Sequence, residues 1–282
     1  MATYETVQYD ERNGVAWVTL NRPEVHNAFD TTMIGELQQI WRSLRHNTDI
    51  NCAVLTAAGE RAFCTGIDRS QVDVDWPDRV AEGDAQAGVG DEHAIGFATP
   101  FMLDDPGAFI GPKSNDLWKP VIAAVNGMAC GGAFYMLGES EFIISSENAT
   151  FFDPHVSYGM PTAFEPVHML HKMPFPEIMR ISIMGNAERM SAQRAYDLGL
   201  VSEVVPGDQL HERAQWIAET IASYHPLAVQ ATIRALWAAR DIGHKQALEM
   251  GYTFIAMGTT AEGLRKGQEQ FTSGQRQKWQ LR

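Results

Sequence analysis

The sequence predicts an α/β fold with a strand-rich N-terminal part and a helical C-terminal part. Short β-like runs alternate with helical patterns before residue 71, and patterns with a helical period dominate from Met190 onwards. Of the 282 residues, 45% are apolar and 20% are charged, which is ordinary for a chain that buries a large core. We expect a core domain over residues 1–200 and an all-helical region over residues 201–282.

The first elements are predicted from alternation and capping. Residues 3–10 and 14–20 have the pattern of strands and are separated by a hairpin signal. Asp30 can cap a helix over residues 31–46, because its carboxylate accepts hydrogen bonds from amides of the first turn. Residues 52–56 form the next strand-like run. We therefore expect a β-hairpin, a helix and a third strand, in this order.

The later elements are predicted from caps and helical period. Ser191 caps the first of these helices, and Pro226 starts another, since proline is tolerated in the first turn. The predicted helices cover residues 192–198, 209–223, 226–240, 245–257 and 261–273.

Residues 71–116 form a long irregular segment with many Asp, Gly and Pro residues. A long irregular segment within a compact domain is usually functional or disordered, and we favour a lid over a pocket. The segment includes His93, Phe97, Phe101, Asp104 and Asp105.

Two glycine-containing turns follow apolar, strand-like runs. The first glycine turn spans residues 62–68 and reads AFCTGID; the second spans residues 126–135 and reads NGMACGGAFY. A strand that breaks at paired glycines and opens into a helix leaves backbone N–H groups unpaired. Such donors, with the positive end of the helix dipole, suit an oxygen that gains negative charge.

Turns of this kind, in this order, resemble the two halves of the oxyanion hole in the crotonase (enoyl-CoA hydratase/isomerase) superfamily. Residues 20–28 look like the family's first CoA-contact loop, and residues 185–195 and 199–201 look like its later signature. The resemblance implies a crotonase-like spiral of repeated ββα units with a helical C-terminal trimerisation region. It also implies an enzyme that acts on acyl-CoA, assembles as a homotrimer or a dimer of trimers, and uses coenzyme A only as part of its substrate.

The resemblance also implies the positions of the oxyanion donors. The family places them on the backbone amides that match Ile67 and Gly132. Two N–H groups aimed at a thioester carbonyl would stabilise an enolate, and one such donor is typically worth about 3 kcal/mol. The alternative is that both turns serve only tight strand–helix packing.

Two positions depart from the family's pattern. Hydratases of the family hold and activate water with two glutamates, and the matching positions here are Tyr135 and His155. Imidazole can act as a base or an acid near neutrality, although a hydrogen-bonded structural histidine is the alternative. A phenol is mainly a hydrogen-bond donor or a pocket wall. Since no obvious pair is left to orient one water, isomerisation, C–C bond cleavage or thioester hydrolysis fits at least as well as hydration.

Glu165 is a further candidate, because some isomerases of the family draw a carboxylate from around this turn. Its alternative role is to favour a helix N-terminus. For CoA, the resemblance implies contacts with the nucleotide and the pantetheine by Arg22, Val25, Ala62, Thr65, Ile67 and Arg69.

Charge and cysteine content exclude several classes of function. The net charge of −13 argues against nucleic acid or an anionic membrane as a partner. The three cysteines have no pairing or metal spacing, and the N-terminus has no signal-like pattern, so we expect a cytoplasmic protein without a metal site. The apolar run 121–138 contains glycines and Asn126, which favours a strand, a turn and a helix over a membrane span.

The sequence therefore predicts an enoyl-CoA hydratase/isomerase-family enzyme, a lyase or an isomerase, that binds an acyl-CoA thioester. It would stabilise the enolate between Ile67 and Gly132 and move the proton with His155, helped by Tyr135 or Glu165. Two alternatives stay open: a catalytically weak acyl-CoA binding protein, and a C–C bond hydrolase that acts on a non-CoA diketone.

Overall fold

Two β-sheets form the centre of the structure, a computed structural model that describes residues 3–71, 105–274 and 279–282. The larger sheet has the strand order β1-β2-β3-β5-β7-β10, with β1 Val7–Arg12, β2 Val15–Leu20, β3 Cys52–Ala57, β5 Val121–Val125, β7 Phe142–Ser146 and β10 Glu203–Val205. The smaller sheet has the order β4-β6-β8-β9, with β4 Ala62–Cys64, β6 Met128–Cys130, β8 Thr150–Phe152 and β9 Met190–Ser191.

Helices cover the sheets and make up most of the C-terminal part. In chain order they are α1 Thr31–His46, α2 Gly107–Ile110, α3 Ala133–Glu139, α4 Phe164–Met169, α5 Phe175–Met184, α6 Ala192–Asp197, α7 Leu210–Ala222, α8 Pro226–Asp241, α9 His244–Gly258 and α10 Ala261–Thr272.

The strand topology brings the two glycine turns together. Strands β2, β3, β5, β7 and β10 run parallel to one another in the larger sheet. Each of β3, β5 and β7 is followed along the chain by a strand of the smaller sheet, where β4, β6 and β8 are again parallel neighbours. Parallel strands end at the same edge of a sheet. The chain therefore leaves β4 and β6 side by side, at Gly66 and Gly132.

The predicted N-terminal hairpin and helix are present, although the first strand covers Val7–Arg12 and not residues 3–10. Strands β1 and β2 pair as an antiparallel hairpin, and α1 covers the predicted residues 31–46. The Asp30 carboxylate accepts a hydrogen bond from the Met33 amide at 2.8 Å, which is the predicted cap. On the buried face of α1, the Trp41 indole donates to the Ile110 carbonyl at 2.8 Å and ties α1 to α2.

The predicted C-terminal helices are present, and Ser191 caps α6 by accepting from the Arg194 amide. The prediction that the chain is wholly helical from Met190 onwards is wrong at two short strands. Strand β9 pairs with β8, and β10 pairs with β7 beyond residue 200, so the larger sheet includes residues 203–205. Strands of two and three residues are too short to show a period, and tertiary pairing alone defines them.

The apolar run 121–138 divides into a strand, a turn and a helix, as predicted. It contains β5, β6 and the first part of α3, so the second glycine turn includes a short strand that the sequence did not reveal. Among the described residues, no helix is both long enough and apolar enough to cross a bilayer.

The three cysteines are buried, unpaired thiols. Cys52 lies in β3, whereas Cys64 and Cys130 end β4 and β6 beside the glycine turns. Burial raises the pKa of the Cys64 thiol to about 12 and also raises the pKa of the other two thiols. All three therefore stay protonated at neutral pH.

Candidate active site

The two glycine turns are in van der Waals contact. Gly66 has a φ of +85°, and a Cβ there would lie 2.9 Å from the backbone nitrogen of Gly132. A Cβ on Gly132 would lie 2.5 Å from Cζ of Phe29. Only glycine at both positions allows the turns to approach each other this closely.

Two backbone hydrogen bonds of Phe29 orient the Ile67 amide away from Phe29. Phe29 donates to the carbonyl of Gly66 at 2.9 Å and accepts from the amide of Asp68 at 2.8 Å. In this parallel bridge the N–H of the intervening Ile67 points to the opposite side. Within the part of the chain that the structure describes, neither Ile67 nor Gly132 uses its N–H in a hydrogen bond to the protein. That both amides bind an oxyanion stays a prediction.

His155 is fixed by a buried carboxylate. It starts a 3₁₀ turn after β8, and its Nδ1 lies 2.7 Å from Oδ1 of Asp153, which also accepts from the backbone amide of His155. The other oxygen of Asp153 accepts from the Thr162 hydroxyl at 2.8 Å. Asp153 is 0% exposed, so it acts on the site only through these donors. Because a carboxylate accepts at Nδ1, Nε2 is the imidazole nitrogen left to exchange a proton.

Tyr135 and Glu165 lie on the other side of His155. Tyr135 is in α3, and its hydroxyl is 2.9 Å from Oε1 of Glu165 in the first turn of α4. The same Glu165 oxygen is 3.4 Å from Nε2 of His155. The structure therefore brings the three predicted side chains into one cluster. His155 is its most accessible member, with 20% of the side chain exposed against 8% for Glu165.

The cluster lies beside the second glycine turn. A Cβ on Gly131 would lie 3.6 Å from Cε1 of His155. His155 therefore packs against the backbone of the second glycine turn, next to Gly132, whose amide is a predicted oxyanion donor.

Asp105 extends the cluster behind Tyr135. Its Oδ2 lies 2.9 Å from the Tyr135 hydroxyl, and its Oδ1 accepts from the amide of Gly107. Burial raises the pKa of Asp105, and the charge of Glu165 acts in the same direction. Burial, followed by the charges of Glu165 and Asp105, also raises the pKa of Tyr135, so the phenol is neutral. From the sequence, Asp105 was named only as a residue of the predicted lid, and no motif with catalytic spacing contains Asp105 or Asp153.

The pKa of His155 is raised by its carboxylate neighbours. Burial by itself lowers that pKa, but the hydrogen bond that His155 donates to Asp153 and the charges of Glu165, Asp153 and Asp105 outweigh burial. The raised pKa favours the protonated imidazole, so His155 is suited to hold a proton that it has taken up.

Asp153, His155 and Glu165 also present three atoms of metal-ligand type within 4.8 Å of one another. The 2.7 Å between His155 and Asp153 is a hydrogen-bond distance. Two ligands of one tetrahedral zinc ion, bound at about 2.1 Å, lie roughly 3.4 Å apart. Among the described residues this geometry is that of groups that share protons, and the expected absence of a metal stays a prediction.

The residues expected to contact CoA surround the first glycine turn. The Arg22 guanidinium donates to the Ala28 carbonyl and to Asp68, and also lies 3.2 Å from Asp30. Arg69 stacks on the ring of Tyr158 at 3.8 Å.

Of the remaining predicted contacts, Thr65 and Ile67 are partly buried, Ala62 is buried in β4, and Val25 ends a 3₁₀ turn. These positions agree with a shared surface, and their role in CoA binding stays a prediction. His93, Phe97, Phe101 and Asp104, named in the predicted lid, lie outside the described residues.

The chain has a mixed α/β fold, two glycine turns in contact and a cluster of titratable side chains beside them, and comparison with known proteins identifies its family. Residues 10–80 and 113–282 match the sequence profile of the enoyl-CoA hydratase/isomerase family. The chain therefore belongs to this family, the crotonase superfamily.

The chain is similar to particular members of known activity and structure. An (E)-benzylidenesuccinyl-CoA hydratase of Thauera aromatica is 34% identical over 236 residues, which is 84% of each protein. A carnitinyl-CoA dehydratase of Proteus mirabilis is 32% identical over 254 residues, covering 90% of this chain and 87% of the relative. The crystal structure of an enoyl-CoA hydratase/isomerase from Mycobacterium paratuberculosis has a TM-score of 0.81, 33% identity and full coverage of both chains.

Proposed function

We propose that the protein catalyses reversible addition of water to the α,β-double bond of an enoyl-CoA thioester. One observation carries the proposal: Glu165 and His155 lie 3.4 Å apart next to the second glycine turn. The relatives named above add or remove water on CoA thioesters, which supports this direction.

The short distance between Glu165 and His155 changes which reaction we expect. From the sequence, no obvious pair was expected to orient one water after both family glutamates were replaced. In the proposal a pair of different composition takes this role, His155 and Glu165, which comes from a separate helix. We therefore favour hydration over isomerisation, C–C cleavage and thioester hydrolysis as the reaction.

In the proposed mechanism His155 is the base. Asp153 holds the Nδ1 proton, so Nε2 accepts a proton from the attacking water. As the water oxygen bonds to the β-carbon, the electron pair of the double bond moves towards the thioester oxygen. The amides of Ile67 and Gly132 would stabilise that oxygen. Glu165, held by the Tyr135 hydroxyl at 2.9 Å, gives its carboxyl proton to the α-carbon. His155 then returns the proton taken from water to Glu165, 3.4 Å away, which restores the starting state.

The test is the His155→Gln variant, with hydration of crotonyl-CoA and (E)-benzylidenesuccinyl-CoA and dehydration of carnitinyl-CoA as assays. Glutamine can hydrogen-bond but cannot exchange a proton near neutrality, so turnover should fall on the order of 10²- to 10⁴-fold, with acyl-CoA affinity preserved. The matched control is His171→Gln, because His171 is exposed after α4. Unchanged turnover in His155→Gln would sink the assignment of His155.

The other outcomes select the alternatives. Acyl-CoA binding without product from any of the three substrates would favour a catalytically weak binding protein. A protein that does not bind CoA thioesters at all would favour a hydrolase acting on a non-CoA diketone. One observation supports that last candidate: Arg22, which the family resemblance places at CoA, is already paired with Asp68 and Asp30.

We further propose that the replacement of both family glutamates makes this an atypical member with a changed proton-transfer group. The spiral of ββα units, the core over residues 1–200, the oligomerising region over residues 201–282 and a cytoplasmic location belong to the same proposal. So does coenzyme A as a part of the substrate rather than as a resident cofactor.

A further inference from the structure

The first glycine turn, residues 62–68, is held at both ends by the chain segment that precedes α1. At the start of the turn, the Asn27 side chain donates to the carbonyl of Ala62 at 2.9 Å. At its end, Nη2 of Arg22 donates to Oδ2 of Asp68 at 2.9 Å. The Asn27 side chain also accepts from the backbone amide of Arg22 at 2.9 Å. The two attachments of the turn are therefore joined to each other.

The Arg22 guanidinium contacts both sides of a backbone bridge that pairs Phe29 with Ile67. On the Phe29 side, Nη1 donates to the carbonyl of Ala28 at 2.7 Å, and Nη2 lies 3.2 Å from Oδ2 of Asp30. On the other side, the same Nη2 holds the last residue of the turn. In this bridge the N–H of Ile67 points away from Phe29. One side chain thus fixes both halves of the geometry that directs a predicted oxyanion donor.

Further hydrogen bonds hold the partners of the guanidinium. Oδ1 of Asp68 accepts from the Ser70 hydroxyl at 2.8 Å and from the Ser70 amide at 3.1 Å, which leaves Oδ2 to Arg22. Hydrogen bonds from Ser70 and from Arg22 lower the pKa of Asp68. Oδ1 of Asp30 accepts from the Met33 amide in the cap of α1. Hydrogen bonds between charged groups are stronger than neutral ones, so this ion pair is suited to hold the turn.

The same contacts make Arg22 poorly suited to a phosphate. A guanidinium binds a phosphate through its positive charge and a fork of N–H donors. Here that charge faces Asp30 and Asp68, whose side chains are 12% and 14% exposed. To reach a phosphate, Arg22 would have to leave at least one of these carboxylates largely buried without its cation, which is unfavourable. The family resemblance places Arg22 at CoA, but its partners fit a different role.

We propose that Arg22 is a positioning residue that fixes the direction of the Ile67 N–H, and that it does not bind the phosphates of CoA. It acts through the backbone of the glycine turn, without touching the substrate. For its effect on turnover, this role rests on the proposed function. Without the guanidinium, two backbone hydrogen bonds alone would hold the bridge, and a displacement of about 1 Å at a reacting group can cost on the order of 10²-fold in rate.

The first test is the carbonyl stretching frequency of a bound thioester, which falls when donors bind the carbonyl oxygen. Butyryl-CoA with ¹³C at the thioester carbonyl is a saturated probe that cannot be hydrated, so infrared difference spectra can be recorded without turnover. We expect wild-type protein to lower the frequency relative to water. Arg22→Gln should move the band back towards its position in water. An unchanged band in Arg22→Gln overturns the proposal.

The matched control is Arg213→Gln, because Arg213 forms an ion pair of similar exposure outside the glycine turns. Its Nε lies 2.9 Å from Glu203, and the two side chains are 19% and 20% exposed. Both variants lose a half-buried arginine–carboxylate pair, and thermal melts measure the resulting loss of stability. Only Arg22→Gln should change the carbonyl band. An equal shift in Arg213→Gln would assign the effect to general destabilisation and overturn the proposal.

The second test is kinetic. Arg22→Gln should lower kcat for crotonyl-CoA on the order of 10- to 10²-fold. Arg22→Lys keeps the charge, but one ammonium cannot reproduce the planar fork, so its kcat should lie between those of wild type and Arg22→Gln. The lysine variant also gives the result if the glutamine variant does not fold. Wild-type kcat in both variants overturns the proposal.

A double-mutant cycle with Asp68→Asn tests the ion pair itself. If Arg22 acts through Asp68, the fall in kcat of the double variant should be smaller than the product of the two single falls. Independent, multiplying effects would overturn the assignment of the turn as the target of Arg22.

Binding of free CoA distinguishes positioning from phosphate recognition. Loss of a hydrogen bond to a charged group typically lowers affinity on the order of 10- to 10²-fold. We expect no such loss in Arg22→Gln by calorimetry, and a loss of this size overturns the proposal.

The results also separate this role from the proposed function. A shifted band in Arg22→Gln, with no hydration of any substrate by wild-type protein, would keep the positioning role and reject hydration. Hydration by wild-type protein with an unshifted band in Arg22→Gln would keep the proposed function and reject the positioning role.

Discussion

At the scale of single residues, the buried carboxylate of Asp153 decides what His155 can do. It accepts from Nδ1 and the backbone amide of His155 and from the Thr162 hydroxyl. With three donors around it, Asp153 stays an acceptor and fixes both the orientation of the ring and its tautomer. The histidine is thus prepared to act through Nε2 before any substrate arrives.

Replacing Asp153 by Asn should separate this role from simple packing. The amide keeps the size but removes the charge that helps raise the pKa of His155. We expect kcat to fall on the order of 10²- to 10⁴-fold. The acid limb of kcat/KM should also move to lower pH, because the imidazole then loses its proton at a lower pH. A pH–rate profile measures both effects; an acid limb at its wild-type position would contradict them.

Two features require glycine at position 66: its positive φ and its close approach to Gly132. A matched variant at Gly199 separates the two effects. In Gly66→Ala the methyl group would lie 2.9 Å from the backbone nitrogen of Gly132 and displace a predicted oxyanion donor. Gly199 has a similar φ, +83° against +85°, but nothing lies within 4 Å of its Cβ position. Both variants therefore acquire the same backbone strain, and only Gly66→Ala changes the site.

We expect Gly66→Ala to lower kcat on the order of 10²- to 10³-fold, the loss typical of one oxyanion donor, and Gly199→Ala to keep wild-type kcat. Both should unfold at a reduced temperature, Gly66→Ala at the lower one because its methyl group also clashes with Gly132. Steady-state kinetics and thermal melts measure the two effects. Equal kcat in the two variants would mean that the contact between the turns does not support catalysis.

Part of the site could be predicted from the sequence because the residues of a motif keep a fixed spacing. Tyr135 and His155 stand at positions that the glycine turn and β8 define, so they were identifiable by alignment alone. Asp105 was not, since it lies 30 positions before Tyr135 and only the packing of α2 on α3 brings them together. Asp153 was not identifiable either, because its burial depends on tertiary contacts.

At the scale of elements, helices were predicted more accurately than short strands. The helix α1 has a cap, a periodic apolar face and four turns, each of which marks its position independently. The strands β4, β6, β8 and β10 have three residues each. Their hydrogen-bonding partners are far away along the chain, so the local sequence contains little information about them.

Lys172, between α4 and α5, is a lysine whose burial disfavours its positive charge. Its ammonium donates to the Ser140 carbonyl and lies 5.9 Å from the ring of Trp237 in α8. Burial lowers the pKa of Lys172 to about 8, against the attraction of Glu141 and with the repulsion of Arg240 and Lys113.

Because the pKa of Lys172 is lowered in the folded protein, the free energy of unfolding should rise with pH. Between about 8 and 10.5 the unfolded chain binds more protons at Lys172 than the folded protein does, so unfolding becomes less favourable as pH rises. In Lys172→Met this part of the rise should be absent. Lys245→Met, at an exposed position of α9, is the control. Denaturant melts across this pH range measure the difference, and parallel curves for wild type and Lys172→Met would contradict it.

At the scale of the whole molecule, the C-terminal helices leave much apolar surface uncovered. Exposed large apolar side chains on α8, α9 and α10 include Leu236, Leu248, Tyr252, Ile255, Met257, Leu264 and Phe271. Exposed apolar surface marks an interaction site where such side chains adjoin one another. The predicted trimer or dimer of trimers would cover it.

Sedimentation equilibrium should therefore give a mass three or six times that of the chain. Ile255→Glu should reduce that mass, because a charge at a desolvated contact is costly. Gln246→Glu, the same added charge on a polar, exposed position of α9, should not change it. A monomeric wild-type protein at micromolar concentration would contradict the predicted assembly.

The overall architecture followed from the order of the motifs rather than from any one of them. Two glycine turns, a capped N-terminal helix and a helical C-terminal part together indicated the family, and the match over residues 10–80 and 113–282 agrees. The pairing of β4 with β6 could not be read from composition. It is a property of how parallel strands end at one edge.

The three buried thiols can report local opening of the folded protein. A thiol reagent attacks the thiolate, and a buried, protonated Cys64 or Cys130 can react only while its surroundings are open. Alkylation rates at these two residues therefore measure how often the glycine turns separate, and Cys52 in β3 serves as the internal reference. Any compound that bridges the turns should slow labelling at Cys64 and Cys130 but not at Cys52. A library of candidate thioesters could thus be ranked by mass spectrometry before the reaction is known.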